Sequence, residues 1–209
     1  MSKKLHVSDG FICRNTVLSQ LAVISPVIIC GNTVMNALAL IYAFSAITFL
    51  AVAAGSFTPK KLPYGIRIII YALLGALAYI PVKAAADEFF PDVIERTGVY
   101  FMLIAVNSLI TVHSERIFYR FTKGKMLVSL ICHILGFDVV MLIISAIREI
   151  LAYGTICGRI VDADILISGA GMPFGGFIIL GIMCGIYRAI VPHNQDSDDW
   201  GGDSDVYNF

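Results

Sequence analysis

The sequence is a succession of apolar stretches separated by short polar segments. A helix rises about 1.5 Å per residue, so roughly 18–25 apolar residues cross a hydrocarbon core of about 30 Å. Stretches of that kind occur at 35–54, 66–85, 126–147 and 174–191, and shorter ones at 15–30 and 99–112. In lipid every backbone polar group must be satisfied within the segment, which makes each stretch a helix. The chain therefore reads as an all-α integral membrane protein with six transmembrane helices.

Charge supports this reading by its scarcity and its placement. Only 14% of the 209 residues are charged, against about 25% in an ordinary soluble domain. Spans and short loops occupy nearly the whole length, so no second, soluble domain is expected. A net charge of zero supplies no basic field for nucleic acid. Segment 1–14 is polar and has no cleavable signal pattern after it, so the first span is expected to be retained.

The loops alternate in sign. Lys3, Lys4 and Arg14 precede the first span; Lys60, Lys61 and Arg67 lie between the second and third; Arg116, Arg120, Lys123 and Lys125 lie between the fourth and fifth; Arg188 ends the sixth. The intervening loops are uncharged (31–36) or acidic (Asp87, Glu88, Asp92, Glu95; Asp162, Asp164). Excess Lys and Arg marks the cytoplasmic side. The organisation expected is a cytoplasmic N-terminus at 1–14, a six-span membrane domain at 15–192 and an acidic, disordered cytoplasmic tail at 193–209.

Two halves of three spans are discernible. Leu21-Ala22-Val23-Ile24-Ser25 is similar to Ile104-Ala105-Val106-Asn107-Ser108, and each opens its half. The first span starts inside and the fourth outside, which makes the halves inverted repeats. Pro26 interrupts the first span, removing a backbone donor and crowding the preceding turn. Both short spans are expected to be broken into half-helices near the membrane centre, the place where inverted-repeat proteins put binding sites.

Few other residues carry chemistry. Asp138 lies well inside the fifth span; a carboxylate there is neutral or binds a proton or cation. Arg148-Glu149, at the end of that span, reads as an interfacial anchor, a subunit contact or part of an ion path. Lys83 can snorkel outward from the end of the third span. His113-Ser114-Glu115-Arg116 reads as a solvated cap. Ser168-Gly169-Ala170-Gly171 reads as a glycine-rich loop, and Gly175, Gly176, Gly181 and Gly185 favour close packing of the last helix. Cys13, Cys30, Cys132, Cys157 and Cys184 have no metal-ligand or disulfide-framework spacing. No catalytic motif is present, so no catalytic residue and no metal site are assigned.

The order and spacing of several segments resemble the six-span membrane subunits of Rnf and Nqr complexes, specifically the E-type component of Rnf and the D-type component of Nqr. These segments are Arg14-Asn15 with Gln20-Leu21 leading to Ser25-Pro26, Asn36-Ala37-Leu38, Ile66-Arg67-Ile68, Val106-Asn107-Ser108, Ile147-Arg148-Glu149-Ile150 with Gly154-Thr155, and Pro173-Phe174-Gly175-Gly176-Phe177-Ile178. The resemblance implies a subunit of a complex in the bacterial or archaeal cytoplasmic membrane. Such a complex couples electron transfer, ferredoxin to NAD or NADH to quinone, to movement of Na⁺ or H⁺. It implies a homologous six-span partner of inverted topology, together with flavin-bearing and ferredoxin-like subunits. It also implies an iron–sulfur cluster held between the two half-helix breaks. Here the chain departs from the pattern: where the family has cysteines, this sequence has Ser25 and Ser108. Clusters are held by thiolates, so no normal cluster is expected in this chain. The family's Asp-Gly early in the fifth span appears here as Ser129-Leu130. The competing reading is an inverted-repeat transporter or channel-like protein for a small solute or cation.

Overall fold

The computed structural model describes residues 28–59, 62–107, 110, 123–161 and 167–190. A helical segment at 28–30 is followed by a turn and then α1, Val34–Gly55. α2 is Tyr64–Phe89. Two short helices follow, α3 Pro91–Thr97 and α4 Val99–Leu103, the latter running into a 3₁₀ turn at Ile104–Val106. α5 is Lys123–Tyr153. Strands β1, Thr155–Ile156, and β2, Arg159–Ile160, pair antiparallel. A second 3₁₀ turn, Ser168–Gly171, precedes α6, Pro173–Ile190.

Four helices among the described residues, those running from Val34, Tyr64, Gly124 and Pro173, are long and apolar enough to cross a membrane. They coincide with the second, third, fifth and sixth predicted spans, extended by a residue or more at most ends. Most of the first predicted span and the end of the fourth lie outside the described residues, as do 1–14, 193–209 and His113–Arg116.

Among the described elements α1 is the central helix. It packs against α2, α5, α3 and the turn at Ile104–Val106. Its buried side chains include Ala37, Ala43, Phe44, Ile47 and Ala51, small residues alternating with large ones. Phe44 stacks on Phe137 of α5, ring centroids 3.9 Å apart. The opposite pattern holds on the outer faces. Ile69, Leu73, Leu77 and Ile80 on α2, and Phe177, Ile178, Ile182 and Ile186 on α6, are all more than half exposed. Rows of large apolar side chains facing outward are stable against lipid or a partner helix, not against water.

Close approach at the fourth predicted span depends on one glycine. A Cβ on Gly75 of α2 would collide with the Ala105 carbonyl oxygen. The chain leaves helical geometry just beyond, Asn107 being extended (φ −85°, ψ 149°), while Ile110 is helical again. The departure falls where the sequence places the break. Its backbone groups are served by Asn107 itself: Nδ2 donates to the Ile104 carbonyl and to Thr48 Oγ1, both 3.0 Å, and Oδ1 accepts from the Ile110 amide at 3.0 Å.

The bundle has two chemically different ends. Arg67 in the first turn of α2, Lys125 in the first turn of α5 and Arg188 in the last turn of α6 mark one. Asp87, Glu88 and Glu95 mark the other, which also carries the 31–33 turn and the β-hairpin.

Candidate functional site

α5 spans about 46 Å by helix rise, longer than the apolar core. Arg148 and Glu149 therefore sit within the helix, one turn before its end. Arg148 is completely buried. An uncompensated charge there would be prohibitive, and the compensation is a cage of carbonyls. Nη1 donates to Ile28 (2.7 Å) and Gly31 (3.0 Å). Nε donates to Ala170 (3.0 Å), and Nη2 to Gly171 (3.1 Å) and Met172 (3.2 Å). A planar guanidinium with five N–H donors suits such a cage, which a lysine ammonium does not.

The local sequence builds the cage. The 28–30 helix ends at the tight turn, and its last carbonyls have no partner of their own within the helix. The glycine-rich 3₁₀ turn presents three successive carbonyls. Gly176 leaves the space: a Cβ there would lie 3.1 Å from Arg148 Cζ, from Nη1 and from the Ile28 oxygen. Gly175 does the same for the turn, since its Cβ would strike the Gly169 oxygen and lie 2.7 Å from Ala170 Cα.

Glu149, 3% exposed, serves the adjacent helix end. Oε2 accepts from the Val34 amide at 2.6 Å, the first residue of α1. A carboxylate at a helix N-terminus satisfies a free donor and opposes the helix dipole. Oε1 accepts from Thr155 Oγ1 (3.1 Å) and the Gly158 amide (3.3 Å). The β-hairpin delivers both donors through a two-residue turn, Cys157-Gly158, with positive φ at each position, the geometry of the tightest hairpins. Thus Arg148 closes the C-terminal end of one helix and Glu149 the N-terminal end of the next, across a three-residue turn. A cavity of about 750 Å³ opens over this node, lined in part by Asn32, Thr33, Asn36, Glu149, Thr155 and Cys157.

Asp138 lies about halfway along α5, half-buried. Ser45, halfway along α1, donates its hydroxyl to the carboxylate, 3.1 Å to Oδ2 and 3.3 Å to Oδ1. Val34 and Ser45 are as far apart on α1 as Glu149 and Asp138 are on α5. The two helices therefore run antiparallel in register, joined by one polar contact at the end and one at mid-depth. Lys83 instead pairs with Asp87 at 3.1 Å near the acidic end of α2.

Sequence reasoning singled out Asp138, Arg148 and Glu149, and the structure sets all three on the α5 surface facing the first half of the chain. Ser25 and Ser108 lie outside the described residues. Ser45, Thr48 and the carbonyls of 170–172 were missed. A hydroxyl on an apolar helix has no local signature of a partner, and backbone carbonyls leave none in sequence. The pair Gly175-Gly176 was the available signal, read only as helix packing.

Among the described residues no set of thiolates is brought together to hold a cluster. The described cysteines are Cys30, Cys132, Cys157 and Cys184. Cys30 and Cys157 line the cavity at the acidic end, away from the break at Asn107. Among the described residues no group of three or more His, Cys, Asp or Glu is placed to hold a metal ion.

A family model described as Rnf-Nqr subunit, membrane protein, matches residues 4–184. The chain is 26% identical over 161 residues to the D component of the Na⁺-translocating NADH-quinone reductase of Chlamydia trachomatis serovar L2, covering 71% of this chain and 76% of that protein. It is 24% identical over 197 residues to the E component of an ion-translocating oxidoreductase complex of Rhodobacter capsulatus, covering 87% and 81%. The component of the same name from Glaesserella parasuis is 25% identical over 198 residues, covering 88% and 86%.

Proposed function

The chain belongs to the Rnf-Nqr subunit family of membrane proteins, and on that premise we propose that it is a membrane subunit of a complex that couples electron transfer to ion translocation. One observation carries this: the family match runs through nearly the whole membrane domain, and the relatives' own names are those of such subunits. The helices agree in kind, four among the described residues being long and apolar enough to span.

The finer assignments are ours. The basic end faces the cytoplasm of a bacterial or archaeal cell and the acidic end faces out, by the distribution of Lys and Arg; both termini are then cytoplasmic. The partners are a homologous six-span subunit of inverted topology and the flavin-bearing and ferredoxin-like subunits of the complex. The outward apolar rows on α2 and α6 are the surfaces available to lipid and to that six-span partner. The overall electron path runs from ferredoxin to NAD or from NADH to quinone. With Ser25 and Ser108 in place of cysteines, this chain contributes frame and ion handling, and no electron step is assigned to it. Asp138, Arg148 and Glu149 are its candidate residues, the carboxylates for ions and Arg148 for holding the frame.

The test is purification of the tagged chain from its native membrane in mild detergent. Flavin-bearing and ferredoxin-like subunits should accompany it, and deletion of its gene should abolish ion movement driven by NADH or reduced ferredoxin in membrane vesicles. A chain that purifies alone, with ion-coupled electron transfer intact in the deletion strain, would sink the proposal.

A further inference from the structure

Ser145 is completely buried, and its hydroxyl has no hydrogen-bond partner among the described residues. Leaving a buried hydroxyl unpaired is unfavourable, and such groups invite an explanation. Its position supplies one. At about 100° per residue, Asp138, Ser145 and Glu149 fall within roughly 40° of arc on α5. They form one polar stripe, from mid-depth to the acidic end, on a helix otherwise apolar there.

The stripe continues at both ends. At mid-depth Asp138 meets Ser45. Three residues further along α1, Thr48 accepts from Asn107 at the break; positions three apart are neighbours on a helix surface. At the other end Glu149 borders the 750 Å³ cavity. A carboxylate has about four acceptor sites, and three donors occupy those of Glu149. Asp138 has one donor, Ser45, among the described residues. A full negative charge at mid-membrane with one hydroxyl partner is undercompensated. The acceptors along the stripe are oxygens, which suit a small hard cation and not a soft metal.

From this we infer that the α1–α5 seam is a cation route, in which Asp138 takes up a proton or sodium ion at mid-depth and Ser145 hands it toward Glu149 and the cavity at the acidic end. The inference rests on the proposed function and gives that function a path within this chain. Asp138 is the binding group, Ser45 positions its carboxylate, and Ser145, about 10 Å along the helix from Asp138 and about 6 Å from Glu149, offers its lone pairs between the two carboxylates. Arg148, on the neighbouring strip of α5, is held by carbonyls and adds a positive boundary that keeps the route to one side.

The experiment uses the whole complex in proteoliposomes, with radioactive sodium and an internal pH dye as the probes, and reads cations moved per electron transferred. Asp138→Asn and Ser145→Ala are each expected to lower that ratio about tenfold, the first by removing the charge that binds the cation and the second by removing one oxygen that would contact it, a loss on the scale of one interaction with a charged group. Asp138→Glu is expected to restore part of it. The dye and the isotope decide between proton and sodium. An unchanged ratio in Asp138→Asn would overturn the inference while leaving the function standing. A wild-type complex that moves no cation would overturn both. Should Asp138→Asn fail to assemble, Ser145→Ala decides. It removes a hydroxyl that bonds none of the described residues, so a merely structural role predicts an unchanged ratio, and that result would overturn the route.

Discussion

Two charged regions of this chain, one turn and four turns from the end of the same helix, are built on opposite terms. At the acidic end Arg148 and Glu149 lie side by side, and each is almost saturated. Five carbonyls surround the guanidinium, and three donors surround the carboxylate. At mid-depth Asp138 has a single hydroxyl among the described residues and remains half-exposed. A nearly saturated charge has little left to bind and mainly holds the chain together. An undersatisfied one is a standing cost in stability, and such residues persist in membranes where a solute or ion completes them. On these terms the first region is chiefly structural, and the second is the uptake point of the proposed route.

Arg148→Met breaks the first region most severely. The cage carbonyls lose their donors, and deleting one side of a buried charged arrangement costs about 3–5 kcal/mol. We expect the chain to disappear from the membrane fraction, or the thermal unfolding midpoint of the solubilised complex to fall sharply. Arg148→Lys should recover little, because one ammonium cannot reach carbonyls on both sides. A stable Arg148→Met complex would end the structural assignment.

Gly176→Ala tests the same node from the other side. The new methyl would sit 3.1 Å from the guanidinium and from the Ile28 oxygen, in a site enclosed by backbone. Overpacking of this kind costs about 1–3 kcal/mol, so the unfolding midpoint should fall, but by less than in Arg148→Met. Gly181→Ala is the control, since a Cβ there meets nothing within 4 Å. Equal effects at the two positions would mean that the space beside Arg148 is not what Gly176 provides.

The difference between the regions was only partly legible in the sequence. Length and hydropathy located the four long helices, because a bilayer imposes one thickness on any spanning segment. The sign of the loops sorted the two ends of the bundle into one basic and one acidic. Asp138, Arg148 and Glu149 stood out as charges in apolar surroundings. What each charge touches was not legible. Arg148 finds carbonyls at Ile28 and at Met172, over a hundred residues upstream and a short loop downstream, and backbone carbonyls are the same in every sequence. Ser45 and Ser145 look alike as serines in apolar helices. Only packing makes one a carboxylate partner and leaves the other unpaired among the described residues. Ser25 and Ser108, the departures that set this chain apart from the pattern it resembles, were legible only through that resemblance.

Glu149→Gln separates charge from hydrogen bonding. The amide retains one acceptor for the Val34 amide or for the hairpin but loses the negative charge at the start of α1. Capping and dipole contributions together are worth about 1–2 kcal/mol. The unfolding midpoint should drop modestly, and the hairpin should become more accessible to hydrogen exchange at Gly158. If stability is unchanged, Glu149 is not a structural cap, and the proposed route is the one role left to it.

Asp138→Asn is the smallest change in stability and the sharpest test of the contrast. The asparagine side chain is nearly isosteric and keeps an acceptor for Ser45 Oγ, so the seam between α1 and α5 retains its contact. It removes a charge that has one described partner at mid-membrane, where an ionised side chain is unfavourable by about 3 kcal/mol on insertion scales. The unfolding midpoint should therefore stay level or rise, while cations moved per electron fall. The same type of substitution, carboxylate to amide, should thus give opposite signs of stability change at Asp138 and at Glu149 on the same helix. If Asp138→Asn instead lowers the midpoint as much as Glu149→Gln, the mid-depth carboxylate is as fully compensated as the one at the end. The two regions would then be of one kind, and the case for a cation route would lose its foundation.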